Sequence, residues 1–114
     1  FSTMMLMRSF VGVAVLLAVA VPVNAWDAVF EVQLDESTVD SFTLRVHPEW
    51  APLGAQRFKE MADDGFFTDL RFFRVIRGFM AQIGISGDPS VAAAWREKRI
   101  PDDPVTQSNT RGMV

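Results

Sequence analysis

The stretch Phe72-Phe73-Arg74-Val75-Ile76-Arg77-Gly78-Phe79-Met80-Ala81-Gln82 is the most informative part of this 114-residue chain. It places a guanidinium, two large apolar side chains and an amide on two short extended runs that meet at a glycine. We expect strands over about 71–76 and 79–83, with a sharp bend at Gly78, because glycine reaches positive φ without a steric cost. These residue types suit an apolar seat with a hydrogen-bond donor at its edge.

Upstream of this stretch, two segments have the alternating pattern of half-buried strands. Apolar residues occupy every second position in Ala28–Asp35 and again in Ser41–Val46. Period-two alternation places each apolar set on one face of a strand. The polar connection Asp35–Asp40 is the right length for a hairpin, so we predict two antiparallel strands here.

Two helices are predicted around these strands. Over Trp50–Asp64 the apolar residues recur at helical spacing, Pro52 suits the first turn, and Gly65 is a natural residue just beyond the end. A second, shorter helix is predicted over 90–99, capped by Ser90 and ended by the prolines that follow. No repeat interrupts this order.

Residues 1–25 have the pattern of a secretory signal peptide. Arg8 is the only charge, an apolar run covers Phe10–Val21, and Val23-Asn24-Ala25 offers small residues for cleavage before Trp26. A membrane anchor is the alternative, but the apolar run is well short of the roughly 20 residues that span a bilayer. We therefore expect no stable membrane span and a location in the secretory pathway, either the endoplasmic reticulum lumen or outside the cell.

Composition excludes several kinds of site in residues 26–114. This part has ten basic and fourteen acidic residues and no basic stripe, which argues against a nucleic-acid surface. The chain has no cysteine and therefore no disulfide framework. Asp102 and Asp103 lack a nearby third metal ligand and are interpreted as solvated loop residues. His47 is interpreted as part of a turn rather than as a proton shuttle, and Trp26 and Trp95 as packing residues.

The stretch 72–82 closely resembles the F-x-R-x-x-x-G-F-M-x-Q core of the cyclophilin-type peptidyl-prolyl cis-trans isomerases. The resemblance implies a mainly β fold with helices, a cyclophilin-like antiparallel β-barrel closed at one end by the first helix. It covers residues 26–114 as a partial domain, about the first half of the family's fold. We therefore expect the chain to be truncated, with the other barrel strands beyond Val114.

The resemblance also assigns roles to residues of the quoted stretch. Arg74 is the expected catalytic residue, since its charged planar fork can donate towards a prolyl nitrogen. Phe79, Met80 and Gln82 are the expected substrate-binding residues, with the first two seating the proline ring and the amide orienting the backbone. No cofactor and no metal is implied.

The chain also departs from the commonest pattern of that family. Phe73 stands where a histidine is common, and Arg77 stands where a proline often precedes the glycine. Ile83-Gly84-Ile85 replaces a glycine-rich continuation, and the segment 88–99 is helical in pattern where a loop is usual. The resemblance implies binding of a cyclosporin-type ligand, but these departures argue against tight binding.

Three functions remain open at this point. The first is an isomerase that assists the folding of proline-containing polypeptide clients. The second is a non-catalytic module that only binds or scaffolds such peptides. The third is that the chain is an inert fragment, in which unpaired strand edges and half a core favour aggregation over activity.

Overall fold

The computed structural model describes residues 25–114, which form two β-hairpins and two helices. The predicted signal peptide lies outside these residues except for Ala25. The elements in chain order are β1 (Trp26–Gln33), β2 (Val39–Val46), α1 (Pro52–Asp63), β3 (Arg74–Ile76), β4 (Met80–Gln82) and α2 (Pro89–Glu97). Within residues 25–114, neither helix has the length and hydropathy needed to cross a membrane.

The first hairpin confirms the predicted pair of antiparallel strands. β1 pairs with β2 along its whole length, from Trp26 opposite Val46 to Gln33 opposite Val39. Half-buried and exposed residues alternate strictly along β1, as the sequence pattern predicts. Leu34 is the exception, because β1 ends one residue earlier and leaves this side chain 62% exposed.

The connection between β1 and β2 is held by one carboxylate. Asp35 accepts hydrogen bonds from the backbone N–H of Ser37 (2.9 Å) and from the hydroxyls of Ser37 (3.1 Å) and Thr38 (3.0 Å). The backbone bond from Ser37 is the main cause that lowers the pKa of Asp35 below 3.8. This local network replaces the Asn-Gly signal that the sequence lacks.

The helix α1 ends as the sequence predicts. Gly65 has φ of +75°, and its N–H donates to the carbonyl of Ala62 at 3.1 Å. The N–H of Phe66 donates to the carbonyl of Met61 at 3.0 Å, which completes a Schellman motif. The same turn directs Phe66 into the core, where it is 7% exposed.

The other end of α1 is capped from a distance. Ala51, at the N-cap position, has no side-chain cap, and the first turn contains no acidic residue. The carboxylate of Asp103 instead accepts from the N–H groups of Leu53 (3.1 Å) and Gly54 (2.8 Å). The interpretation of Asp103 as a solvated loop residue is therefore wrong, because this anion satisfies free N–H groups at the positive end of the helix.

The helix α2 also differs from the prediction at its start. Asp88, rather than Ser90, is the N-cap, and its carboxylate accepts from the N–H (2.8 Å) and the hydroxyl (2.7 Å) of Ser90. Pro89 follows as the first helical residue, where its missing N–H costs nothing. The hydrogen bond from the Ser90 side chain is the largest cause that lowers the pKa of Asp88 below 3.8.

Aromatic stacking forms the core between the first hairpin and α1. Phe58 lies at its centre, stacked on Trp26 at 5.6 Å and edge-on to Phe67 at 5.1 Å between ring centroids. Phe30 stacks on Phe42 across the hairpin at 5.0 Å. The core extends to α2 through Phe66 and Trp95, whose centroids are 5.7 Å apart. Both predicted packing tryptophans are thereby confirmed.

The turn after β2 also follows the prediction. The N–H of Trp50 donates to the carbonyl of His47 at 3.0 Å, and the two rings stack with centroids 4.0 Å apart. The Nδ1 atom of His47 lies 3.0 Å from Oε1 of Glu49. His47 is thus part of a local turn network rather than of a remote site.

The predicted combination of strands and helices is confirmed, but the predicted barrel is not. β1–β2 and β3–β4 are separate two-stranded sheets, so the described residues do not close a barrel. Among the described residues, Ala55 and Phe66 are the buried members of the hydrophobic core, with 8% and 7% of their surface exposed. The second hairpin lies outside this core, and most of its side chains are exposed.

Candidate functional site

The second hairpin is built around Gly78. The N–H of Phe79 donates to the carbonyl of Ile76 at 3.0 Å, closing a turn in which Gly78 has φ of +75°. A positive φ at the third residue is the requirement of a type II turn, which glycine meets without strain. The predicted bend is therefore confirmed, and it sets β3 antiparallel to β4.

The register of this hairpin brings three of the four candidate residues together. Arg74 is directly opposite Gln82, and Ile76 is directly opposite Met80. Opposite residues, and residues two apart on one strand, share a face of a two-stranded sheet. Arg74, Met80 and Gln82 therefore lie on one face, with the guanidinium and the amide at one end and the thioether beside them.

The fourth candidate residue is placed differently. Phe79 was predicted to begin the second strand, but β4 begins at Met80 and Phe79 belongs to the turn. Its side chain is 74% exposed, whereas Met80 is half-buried. The strand register therefore does not place Phe79 on the shared face, although its exposed ring is accessible to a ligand.

Arg74 has no carboxylate or hydrogen-bond partner among residues 25–114. Arg45 shows the contrast, because its guanidinium binds both oxygens of Asp27 at 2.9 and 3.0 Å. That hydrogen-bonded pair raises the pKa of Arg45 and lowers the pKa of Asp27. The donors of Arg74 are instead free to meet an acceptor supplied by a ligand.

A separate cavity of about 650 Å³ lies between β2 and the start of α1. Its lining includes Leu44, Trp50, Phe58 and Met113, and it contains none of the four candidate residues. It is therefore separate from the candidate site. Among the described residues, no three His, Asp or Glu side chains are grouped to hold a metal ion.

The described geometry can be compared with known proteins. The family model described as cyclophilin type peptidyl-prolyl cis-trans isomerase/CLD matches residues 29–114. The chain belongs to the cyclophilin-type isomerase family. The match begins within β1 and includes the other strands and both helices. The family resemblance of the stretch 72–82 is therefore confirmed, and it extends over most of the described chain.

Curated cyclophilin relatives match over shorter segments. The chain is 38% identical over 55 residues to peptidyl-prolyl cis-trans isomerase-like 2 of Neurospora crassa, covering 48% of this chain and 9% of the relative. It is 36% identical over 55 residues to isomerase-like 1 of the same fungus, covering 48% of this chain and 32% of the relative. It is 33% identical over 66 residues to isomerase-like 1 of Aspergillus fumigatus, covering 58% of this chain and 36% of the relative.

These cyclophilin alignments therefore span about a tenth to a third of the relatives' own length. No solved structure matches the chain significantly. At the candidate site, Arg77 lies in the turn between Ile76 and Gly78. The sequence pattern identified Arg77 only as a departure from the family's common proline, although an arginine beside the bend also indicates a positive charge near the candidate residues.

Proposed function

We propose that this cyclophilin-type protein accelerates cis–trans isomerisation of X-Pro bonds in polypeptide clients. One observation carries the proposal: in a chain of this family, unpaired Arg74 lies opposite Gln82 on a face that also includes Met80. A charged donor, an amide and an adaptable apolar group are the components that such a reaction requires.

The reaction itself is a rotation rather than a bond exchange. Amide resonance gives a barrier of about 18–20 kcal/mol, and uncatalysed X-Pro bonds exchange over tens to hundreds of seconds. At the twisted transition state the C–N bond is nearly single, and the prolyl nitrogen regains its lone pair. Stabilising that lone pair lowers the barrier, so neither a nucleophile nor a proton shuttle is required.

Arg74 is the donor in this mechanism. Its guanidinium presents N–H groups in a planar fork. A hydrogen bond to the prolyl nitrogen is stronger in the twisted state than in the planar one, so it stabilises the transition state selectively. Met80 and Phe79 seat the ring, while the amide of Gln82 holds the client backbone in register.

The test is X-Pro exchange in a short proline peptide, followed by NMR exchange spectroscopy with the full-length protein. Arg74→Ala is expected to lower kcat/KM by about 100-fold, the scale on which one preorganised transition-state donor acts. Arg74→Lys keeps the charge but loses the fork, so it restores only part of the rate. Arg111→Ala is the matched control outside the hairpin. An unchanged rate in Arg74→Ala would remove this residue from the mechanism.

A non-catalytic peptide-binding module is the second candidate. It is favoured by the exposure of the hairpin, since Phe79 is 74% exposed and an open seat excludes water poorly. Such a module binds the proline peptide and leaves its exchange rate at the uncatalysed value. Measuring the Kd and the exchange rate on one peptide separates the two functions.

We further propose that the clients are proteins folding in the secretory pathway. The proposal rests on the signal-like pattern of residues 1–25, which lies outside the described structure except for Ala25. Expression in a secreting host and N-terminal sequencing of the product is the test. A mature protein that begins at Trp26 supports the proposal, and retention of residues 1–25 contradicts it.

A further inference from the structure

Charge is distributed unevenly between the second hairpin and the rest of the chain. The segment 70–87 contains Arg71, Arg74 and Arg77 and no acidic residue. The rest of residues 26–114 contains seven basic and all fourteen acidic residues. The second hairpin and the residues that flank it thus form an exposed segment with three positive charges, whereas the rest of residues 26–114 has a formal charge of 7 − 14 = −7.

None of these three arginines forms an ion pair of the kind found elsewhere within residues 25–114. Arg57 binds Glu60 at 3.0 Å and Lys59 binds Asp63 at 2.8 Å, and both of these pairs lie on α1. No carboxylate within residues 25–114 pairs with Arg71, Arg74 or Arg77, and all three side chains are exposed. Their donors and their charge are therefore available to a ligand.

The positions of these arginines bracket the proposed site. Arg77 lies in the turn, two residues before Phe79, and Arg71 lies three residues before Arg74. At about 3.3 Å per extended residue, Arg71 and Arg77 are each about 10 Å along the chain from Arg74. Arg71 precedes β3 and Arg77 lies in the turn, so strand pairing holds neither residue to one face, and the long side chains of both can extend towards a peptide bound at Arg74.

We propose that the site selects acidic clients, namely segments with Asp or Glu within about three residues of the proline. This inference rests on the proposed function and names its substrate class. Arg71 and Arg77 are the specificity-determining residues, since Arg74 is used at the prolyl nitrogen. Charge complementarity raises the local concentration of such segments and excludes basic ones, which the three guanidinium groups repel.

The test compares proline peptides of equal length that have acidic, neutral or basic flanks, using the full-length protein. Each acidic flank is expected to raise kcat/KM by about 2- to 5-fold at low salt, as exposed ion pairs do. The preference is expected to disappear near 1 M salt, where the Debye length falls to about 3 Å. The basic peptide is expected to be the poorest substrate.

The double variant Arg71→Gln/Arg77→Gln is expected to bring the acidic-to-neutral ratio close to 1. The matched control is Arg99→Gln/Arg111→Gln, which removes the same charge outside the hairpin and is expected to keep the ratio. Equal loss of preference in both double variants would overturn the inference, because net charge alone would then explain it. Circular dichroism checks that both variants are folded.

Binding measurements on the same peptides separate this inference from the proposed catalysis. If exchange is catalysed at equal rates for all flanks, the inference fails and the isomerase function stands. If no peptide is turned over but the acidic one binds more tightly in an Arg71- and Arg77-dependent way, the inference stands and catalysis fails. Two results would overturn the inference. One is an acidic peptide without proline that binds as tightly as the acidic proline peptide, and the other is a single-stranded oligonucleotide that binds more tightly than that peptide.

Discussion

Arg74 and Gln82 lie directly opposite each other on β3 and β4. The N–H of Phe73, next to Arg74, donates to the carbonyl of Gln82 at 3.1 Å, so the backbone holds the two strands together at this point. Because opposite residues share a face, a client bound by the amide of Gln82 lies within reach of the guanidinium. In the proposed mechanism, the hairpin register therefore couples client positioning to bond polarisation.

This relationship predicts that the two residues act as a unit. Arg74→Ala and Gln82→Ala each lower kcat/KM for X-Pro exchange, but the double variant is expected to lose less than the sum of the two free-energy changes. The difference is expected to be about 1 kcal/mol, since residues that share one ligand are coupled on this scale. NMR exchange spectroscopy measures kcat/KM for the wild type, for each single variant and for the double variant.

The control for this cycle is Val75→Ala, which alters the opposite face of β3. Val75 is 69% exposed and pairs with Ala81, not with a candidate residue. Its substitution is expected to change kcat/KM by less than about twofold and to be additive with Arg74→Ala. Strict additivity between Arg74 and Gln82 would contradict a shared role.

The turn at Gly78 predicts a second effect. A β-carbon at Gly78 meets no atom within 4 Å, so Gly78→Ala creates no clash, but the φ of +75° is strained for alanine. We expect a loss of about 1 kcal/mol in the free energy of unfolding and a lower kcat/KM, as the strands lose their alignment. Gly87→Ala is the matched control, because that glycine also has open space but no positive φ. Equal urea midpoints for the two variants would contradict the strain argument.

The distant cap of α1 predicts a third effect. Asp103→Ala removes the acceptor for Leu53 and Gly54, so we expect the free energy of unfolding to fall by about 1–2 kcal/mol. Asp103→Asn keeps an acceptor and loses the favourable interaction with the helix dipole, so it is expected to lose less. Asp102→Ala is the control, since no hydrogen bond within residues 25–114 involves the Asp102 side chain. Urea denaturation measures the three variants, and equal losses at the two aspartates would contradict a specific cap.

Local patterns were sufficient to predict the hairpins and helices of the described residues. The alternation in β1, the helix end at Gly65 and the bend at Gly78 each depend on neighbours within a few residues. The register that sets Arg74 opposite Gln82 also depends on a local feature, because the turn between β3 and β4 fixes it. Asp88 could also have been predicted as the cap of α2, since Asp-Pro before an apolar run is a typical helix start.

Features that depend on remote contacts could not be predicted in this way. Asp103 caps a helix 50 residues earlier in the chain, and no spacing rule connects the two segments. Phe79 was expected within a strand, but the closing hydrogen bond to Ile76 draws it into the turn. The sequence also could not reveal that the two hairpins form separate sheets, because pairing between distant strands leaves no local pattern.

The cap of α2 predicts a pH effect with a defined sign. Hydrogen bonds from Ser90 hold the pKa of Asp88 below 3.8 in the folded protein. A group with a lowered folded pKa stabilises the protein above its unfolded pKa, and this contribution is lost as the pH falls through the folded value.

Asp88→Asn keeps an acceptor that does not titrate, so wild type is expected to have the higher urea midpoint at pH 7, with the advantage shrinking below about pH 4. In Ser90→Ala the largest cause of the shift is gone, so the pH-dependent loss is expected to begin at the same pH, to be smaller, and to be complete at a higher pH. Parallel midpoint profiles for wild type and Asp88→Asn between pH 7 and pH 3 would show that this carboxylate is not the titrating cap.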